Sequence, residues 1–503
     1  MPASVPGFRP GLFHPPASPA RLALAGLALL TLVRLAVAAI VPLAPDETYY
    51  WVWSQHLQGG YLDHPPMVAL WIRLGTDLLG ATPLGVRLLG PLSGAAGSVL
   101  LWHAAEALLP GRRAGWIATV LLNATLLFGV GSVVMTPDTP LLFFWVCCLW
   151  ALARFVRDPN GWWLALAGVA AGAAFDSKYT AAFLALGVAL WLIWVPSLRR
   201  LWLNPAPYWG MLWGMQAVLP VVNWNRTHGW VSFLKQGGRL DHWHPANAPR
   251  LLGELIGAQL GLATPLVFAF CVAGVVLATR EAWRRRDPAC SLLAAMTLPA
   301  VLVFLQHTLA GRVQGNWPAV LYPAAAIAAA GLEAPVWRRL FAPAAVLGLA
   351  ITALVYVQAA TAILPLPVRR DPTALQLRGW GGLASRVAAV ARQTGAAFVA
   401  ADDYAPASEL AWHLPAGTEL VGVEPRWAYF DLPRPALAGR AGVLVRQANA
   451  GPPPTASWTG ATLLGTVWRR SGGGRSGGQR IAAFRLFRVT VRPGPAAAVL
   501  PRR

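Results

Sequence analysis

Asp46-Glu47-Thr48-Tyr49-Tyr50 follows directly on an apolar run that begins near Arg21. A second polar segment, Tyr61-Leu62-Asp63-His64-Pro65-Pro66-Met67, comes shortly after it. Acids at the mouth of a membrane helix are costly to keep there, and by default they mark a functional site. The chain has 20 Asp and Glu against 41 Lys and Arg, so several scarce acids fall in one loop between apolar runs. That pattern points to chemistry at a membrane surface.

The runs themselves decide the fold class. Of 503 residues, 56% are hydrophobic and 12% are charged. Apolar runs of about 17 to 25 residues recur up to about Leu364, and each is long enough to cross a bilayer core of roughly 30 Å. A soluble chain would carry about twice the charge. Tryptophans such as Trp51, Trp53, Trp162, Trp163, Trp202, Trp209 and Trp337 flank the runs, where interfacial aromatics sit. The net charge of +21 comes from short Arg clusters between runs and is no sign of nucleic-acid binding. Lys178 and Lys235 are the sole lysines, so each stands out against a strong Arg bias. Four cysteines, Cys147, Cys148, Cys271 and Cys290, lie in or beside apolar runs and show no metal-ligand spacing.

Arg clusters orient the chain. Arg112-Arg113, Arg154 with Arg157, Arg199-Arg200, Arg280 with Arg284-Arg285-Arg286, and Arg338-Arg339 fall in alternate connections. The positive-inside rule puts these in the cytoplasm. The expected spans are then 22–43, 86–109, 114–134, 139–156, 162–177, 179–197, 206–222, 254–279, 289–309, 317–333 and 341–364, about eleven helices. Residues 1–20 form a cytoplasmic tail, and 21–366 a membrane domain with outer loops at about 44–85 and 223–252. Asp46, Glu47, Asp63, His64, Asp138, Lys178, Arg226, His228, Lys235, Arg239, His242, His244, His307, Arg312 and Asn316 all fall outside.

Residues 367–503 read as an extracytoplasmic α/β domain with a flexible C-terminal end. Gly395–Ala400, Thr418–Val423 and Ala441–Val445 read as short buried strands, with helices near 381–393 and 406–414 between them. Gly- and Pro-rich loops follow at Gly451–Pro454 and Ser471–Gly478.

Several residues carry candidate chemistry. A carboxylate at the boundary, Asp46 or Glu47, suits a general base, although the same residues suit the first turn of a helix. Asp63-His64-Pro65-Pro66 is a corner stiffened by proline, which would hold an acid and an imidazole toward a pocket or simply join two helices. Asp138 lies between two prolines and reads equally as a functional acid or a helix cap. Lys178 suits a lipid phosphate, or plain snorkelling to the headgroups. The loop 223–250 interleaves basic and aromatic side chains, which suits a lipid phosphate, a sugar face or interfacial anchoring. His242 and His244 form a weak metal pattern. A divalent ion is the one cofactor these carboxylates would hold.

Together the segments APDETYYWVWS (44–54), YLDHPPMVALWIRLG (61–75), TPDTPLLFFW (136–145), SKYTA (177–181), NWNRTHGWVSFLKQGGR (223–239) and GNWPAVLYPA (315–324) resemble bacterial members of the protein-mannosyltransferase-like superfamily. That group includes the lipid A aminoarabinose transferases, and the DHPPM form is similar to galacturonosyltransferase-type members. The resemblance covers roughly residues 22–330 and implies a GT-C fold in the inner membrane. It implies transfer of a sugar from a polyprenyl-phosphate carrier, with inversion, on the periplasmic side. It matches Asp46 to the acid that activates the acceptor, and Asp138 to an acid near the donor phosphate or a metal. It matches Lys178 to a basic residue of the segment. Asp63 stands where aminoarabinose transferases have Glu before Lys-Pro-Pro, but His64 replaces the lysine here.

The expected function is therefore an integral-membrane glycosyltransferase acting on lipid A, lipopolysaccharide, another envelope glycan or a protein. Asp46 and Glu47 are the expected catalytic acids. Lys178, Arg226 and Arg312 are expected at the donor phosphate, since a departing phosphate needs positive charge. Asp63, His64, Tyr49 and Asn316 are expected around the pocket, with Asp138 and Asp63 as metal ligands. A lipid-linked-sugar flippase would instead place ionisable residues at mid-helix and on both faces. A non-catalytic envelope-assembly subunit would tolerate loss of Asp46.

Overall fold

A computed structural model describes residues 19–238, 245–433, 437, 439–454, 458–472, 478–491 and 498–503. Arg239, His242 and His244 lie outside these residues. The membrane part is helical: α1 (Pro19–Ile40), α2 (Pro45–Ser54), α3 (Met67–Leu79), α4 (Pro83–Arg87), α5 (Leu89–Leu108), α6 (Ala114–Asn123), α7 (Leu126–Gly131), α8 (Asp138–Arg157) and α9 (Gly161–Phe175). It continues through α10 (Ala182–Trp194), α11 (Pro205–Thr227), α12 (Val231–Gly237), α13 (Ala248–Leu262), α14 (Pro265–Arg285), α15 (Pro288–Ala295), α16 (Leu298–His307), α17 (Tyr322–Ala329) and α18 (Pro335–Thr361).

Among the described residues, six helices are long and apolar enough to cross a membrane. They become seven if Tyr179–Trp194 and Pro196–Leu203, bent by 112°, count as one span. Each of the eleven expected segments is helical, but several are broken. Segment 114–134 divides into α6 and α7 where Thr125 caps a new helix by accepting from the Phe128 N–H. Segment 254–279 divides into α13 and α14 at Thr264, whose φ is +65°. Hydropathy averages across such breaks, because apolar residues continue on both sides.

Close packing explains the weakly amphipathic helices. Gly168 and Gly172 of α9 face Gly210 and Gly214 of α11. A Cβ at Gly168 would meet the Gly210 carbonyl oxygen at 1.9 Å, so any larger residue would force these helices apart. Small residues spaced by four are the usual device for close helix approach in a membrane.

The outer domain holds α19 (Pro372–Leu377), α20 (Trp380–Gln393) and α21 (Tyr404–His413) against one sheet. Its strands are β1 (Phe398–Ala401), β2 (Glu419–Gly422), β3 (Ala441–Gln447), β4 (Trp458–Arg470), β5 (Arg480–Val491) and β6 (Ala498–Val499), in the order β4-β5-β3-β1-β2-β6. The central strands β3, β1 and β2 are parallel, and the outer ones pair antiparallel. The three expected strands and two expected helices are present. On either side of the expected loop Ser471–Gly478 the sheet gains the hairpin β4–β5, which is the longest pairing in it. Most side chains of β4 are exposed, so no buried alternation announces it.

The two domains meet through α21 and α2. Trp51 packs edge-on against Trp412 at 5.1 Å, and one hydrophobic cluster includes Tyr49, Trp53, Trp412, Trp427 and Phe430.

Candidate active site

The helix α2 places two adjacent acids in opposite settings. Pro45 starts the helix, and both acids fall in its first turn, where negative charge is favourable. Glu47 turns inward and is fully buried. Arg87 grips it with two bonds, Nε to Oε1 at 2.6 Å and Nη2 to Oε2 at 2.5 Å. The Met135 and Ala44 N–H groups donate to the same carboxylate at 3.0 and 2.9 Å. Arg87 also donates to the carbonyls of Val41 and Pro42. Glu47 thus ties together the end of α1, the start of α2, α4 and the residues before α8.

Asp46 turns outward and is exposed. It is not the helix cap, since Ala44 holds that position. Its Oδ1 accepts from the Tyr404 hydroxyl at 3.1 Å. Crowding by the protein on its inner sides raises its pKa above the ordinary carboxylate value, against the Tyr404 bond, which lowers it. Glu47 and Asp63 add to the rise.

Asp63 sits in a basic clamp. Its carboxylate accepts from Tyr49 Oη at 2.8 Å, Lys235 Nζ at 2.5 Å and Arg426 Nη1 at 3.1 Å. Burial pushes its pKa up, but Arg426 and Lys235 outweigh that and hold it below the ordinary value. Gln236 donates to the Asp63 carbonyl at 2.7 Å, so α12 is fastened to this corner. The expected corner is present, because the Tyr61 N–H bonds back to the His64 carbonyl at 3.1 Å before α3 begins.

Asp138 opens α8, and Lys178 follows the end of α9. The Lys178 ammonium donates to both Asp138 oxygens at 2.8 Å, and Asn316 Nδ2 donates to Oδ2 at 2.6 Å. This pair is buried. Lys178 also lines a cavity of about 230 Å³ with His64, Tyr179, Gln236, His307 and Trp317. Arg226 and Arg312 do not join it. Arg226 is exposed at the end of α11 and bonds Asn223 at 3.4 Å, while Arg312 pairs with Glu254 at 3.3 Å.

Among the described residues, the donor set does not fit a divalent cation. Asp63 is already neutralised by Lys235 and Arg426, and Asp138 by Lys178. Among the described residues, no three His, Cys, Asp or Glu side chains gather as ligands.

Tyr404 and Arg426 were missed by sequence reasoning. Both come from the outer domain. Tyr404 follows β1 and Arg426 follows β2, at the carboxyl ends of parallel strands, where such sheets place ligands. Arg426 lies over the Tyr404 ring at 4.1 Å and the Tyr49 ring at 5.3 Å, and it bonds Glu424 at 2.7 Å. The recognised strands therefore pointed to these loops, but nothing in the sequence linked the loops to Asp46.

Known proteins share both the motifs and this fold. The family model described as dolichyl-phosphate-mannose-protein mannosyltransferase matches residues 63–224. The lipid A galacturonosyltransferase RgtD of Rhizobium johnstonii is 28% identical over 298 residues, 58% of this chain and 61% of that protein. The match thus spans about three fifths of that relative's length. ArnT from Cupriavidus metallidurans bound to undecaprenyl phosphate superposes with a TM-score of 0.61 at 13% identity, over 93% of this chain and 98% of that one. Its apo state gives 0.61 at 15% identity, over 94% and 98%. The chain is thus a multi-pass membrane protein that is similar in sequence to protein-mannosyltransferase-like proteins and shares the fold of ArnT, a helical membrane domain with an outer sheet domain.

Proposed function

We propose that this protein is a glycosyltransferase that moves a sugar from a polyprenyl-phosphate donor to lipid A or a related envelope glycolipid. One observation carries the reading. Of the four expected carboxylates, Glu47, Asp63 and Asp138 are each closed by a cation, whereas Asp46 is open and has a raised pKa. Of these four, Asp46 alone is set up to take a proton. The name of the 28% identical relative and the lipid bound by the similar fold support the substrate classes.

In this reading the acceptor hydroxyl gives its proton to Asp46 as its oxygen attacks the anomeric carbon. The bond from that carbon to the phosphate oxygen breaks on the opposite face, and polyprenyl phosphate leaves, so the configuration inverts. Lys178 has three N–H donors, and Asp138 takes two. The third is available to the departing phosphate in the adjoining cavity, where its charge stabilises the leaving group. Glu47 acts through Arg87 as a positioning residue.

The proposed setting is a bacterial inner membrane with Asp46 on the periplasmic side. The two ends of α8 support this, because Asp138 opens the helix and Arg154 with Arg157 closes it. The test is transfer by purified Asp46→Asn protein from a polyprenyl-phosphate sugar to lipid A. A general base is worth about 10²–10⁴ in rate, and that loss is expected with folding intact. Near-parental transfer by a well-folded variant would overturn the assignment.

A further inference from the structure

A second cavity lies at the far end of the bundle from Asp46. It measures about 640 Å³ and opens between the α5–α6 turn, α14, α17 and the start of α18. The 20 residues of α5 separate it from the Arg87–Glu47 clasp, which at 1.5 Å per residue is about 30 Å. It therefore belongs to the other membrane surface, the cytoplasmic one in the proposed orientation.

Its lining combines charge with aromatic walls. Arg112, Arg113 and Arg338 contribute three guanidiniums, and Trp116, Trp337 and Phe341 contribute rings. Glu333 is the one acid of the lining, and it pairs with Arg112 at 2.9 Å. Arg112 also donates to the Gly331 carbonyl at 3.3 Å. Neither Arg113 nor Arg338 has a carboxylate partner among the described residues. The site carries an excess of positive charge that the protein itself does not neutralise. Arg113 stands at the entry to α6 with a left-handed backbone, φ +52°.

The rim says what kind of anion fits. Trp116, which lines the cavity, is 41% exposed. Phe270 packs edge-on against Trp337 at 4.8 Å, which extends the aromatic wall. Inorganic phosphate would use the guanidiniums and leave the rings idle. A ligand with a phosphodiester and acyl chains uses both: the Arg forks bind phosphate oxygens, and the rings take the glycerol and upper chain. Basic pockets between membrane helices are a known setting for anionic headgroups.

We propose that this cavity binds the headgroup of an anionic glycerophospholipid, phosphatidylglycerol being the simplest, at the membrane surface opposite Asp46. The site is independent of the transfer reaction.

The test uses full-length protein in a neutral detergent, mixed with equal amounts of phosphatidylglycerol and phosphatidylcholine. Native mass spectrometry reads which lipid is retained, and thermal unfolding reads stabilisation. Parent protein is expected to retain phosphatidylglycerol preferentially and to unfold at higher temperature with it. The Arg113→Gln/Arg338→Gln double variant should lose at least about tenfold in retention, since two charge-assisted bonds are removed. Arg338→Gln alone, on the exposed start of α18, serves if the double variant folds poorly. Equal retention of both lipids by the parent would overturn the proposal, as would undiminished retention by the variants. Equal stabilisation by inorganic phosphate would overturn it too, by making this a plain anion site.

Discussion

The Tyr404 hydroxyl donates to the Asp46 carboxylate across 3.1 Å, joining the outer domain to the first turn of α2. A bond to the charged form favours that form, so Tyr404 lowers a pKa that crowding has raised. In Tyr404→Phe the Asp46 pKa should rise further. A base must be deprotonated to work, so the acid limb of kcat/KM should move to higher pH, while the plateau above it stays near the parental rate. A pH–rate profile of parent and variant decides this. An unmoved acid limb would mean that Asp46 is not the group that titrates.

Glu47 should behave differently from its neighbour. Glu47→Gln leaves the Arg87 guanidinium buried without a counter-charge, and breaking a buried pair costs about 3–5 kcal/mol. The expected result is a large fall in thermal midpoint and yield. The double variant Glu47→Gln/Arg87→Met should recover part of that loss. A Glu47→Gln protein as stable as the parent but without turnover would instead make Glu47 a direct participant.

Lys178 has two duties that a mutant series separates. Lys178→Ala strands Asp138 in a buried site and should destabilise strongly. Adding Asp138→Asn removes the stranded charge and should restore much of the stability. Donor use should stay impaired in both, with the KM for the polyprenyl-phosphate sugar raised and that for the acceptor little changed. Transfer rates at varied donor and fixed acceptor, then the reverse, read this directly. If the double variant recovered donor use along with stability, Lys178 would be a structural counter-ion alone.

The sequence shows the membrane class and the outer parallel strands because both depend on patterns that survive in one dimension. Apolar runs announce helices, and GAAFVA, TELVGV and AGVLV announce β1, β2 and β3. Span boundaries are less legible, because a break such as Thr264 changes backbone direction without changing hydropathy. Asp46, Asp63 and Asp138 are visible as scarce acids at helix ends. Their separate roles are not visible, since these depend on partners far along the chain. Lys235 is 172 residues from Asp63, and Arg426 is 363 residues from it. Arg226 and Arg312 have the right charge but face solvent, Arg226 bonding Asn223 and Arg312 pairing with Glu254.

Glu409 should make stability depend on pH in a direction opposite to the usual carboxylate. It lies on α21, the helix that carries Tyr404, and is 1% exposed. Burial raises its pKa to about 7, although His413, with Nε2 at 3.4 Å, and Arg469 from β4 pull it down; Glu47 across the interface pushes it up. In the unfolded chain the same group titrates at the ordinary glutamate value. Between those two values the folded state holds a proton that the unfolded state has lost. Stability from this group is therefore greatest in acid, falls as pH rises toward about 7, and is lowest above that. The full cost is at most roughly 3 kcal/mol at 1.36 kcal/mol per pKa unit. Glu409→Gln keeps the shape but never ionises. Its thermal midpoint should exceed the parent's at pH 8 and match it near pH 4, measured in detergent at fixed salt. A variant less stable than the parent at pH 8 would mean that the ionised carboxylate is held by His413 and Arg469, and that its charge helps dock α21 on α2.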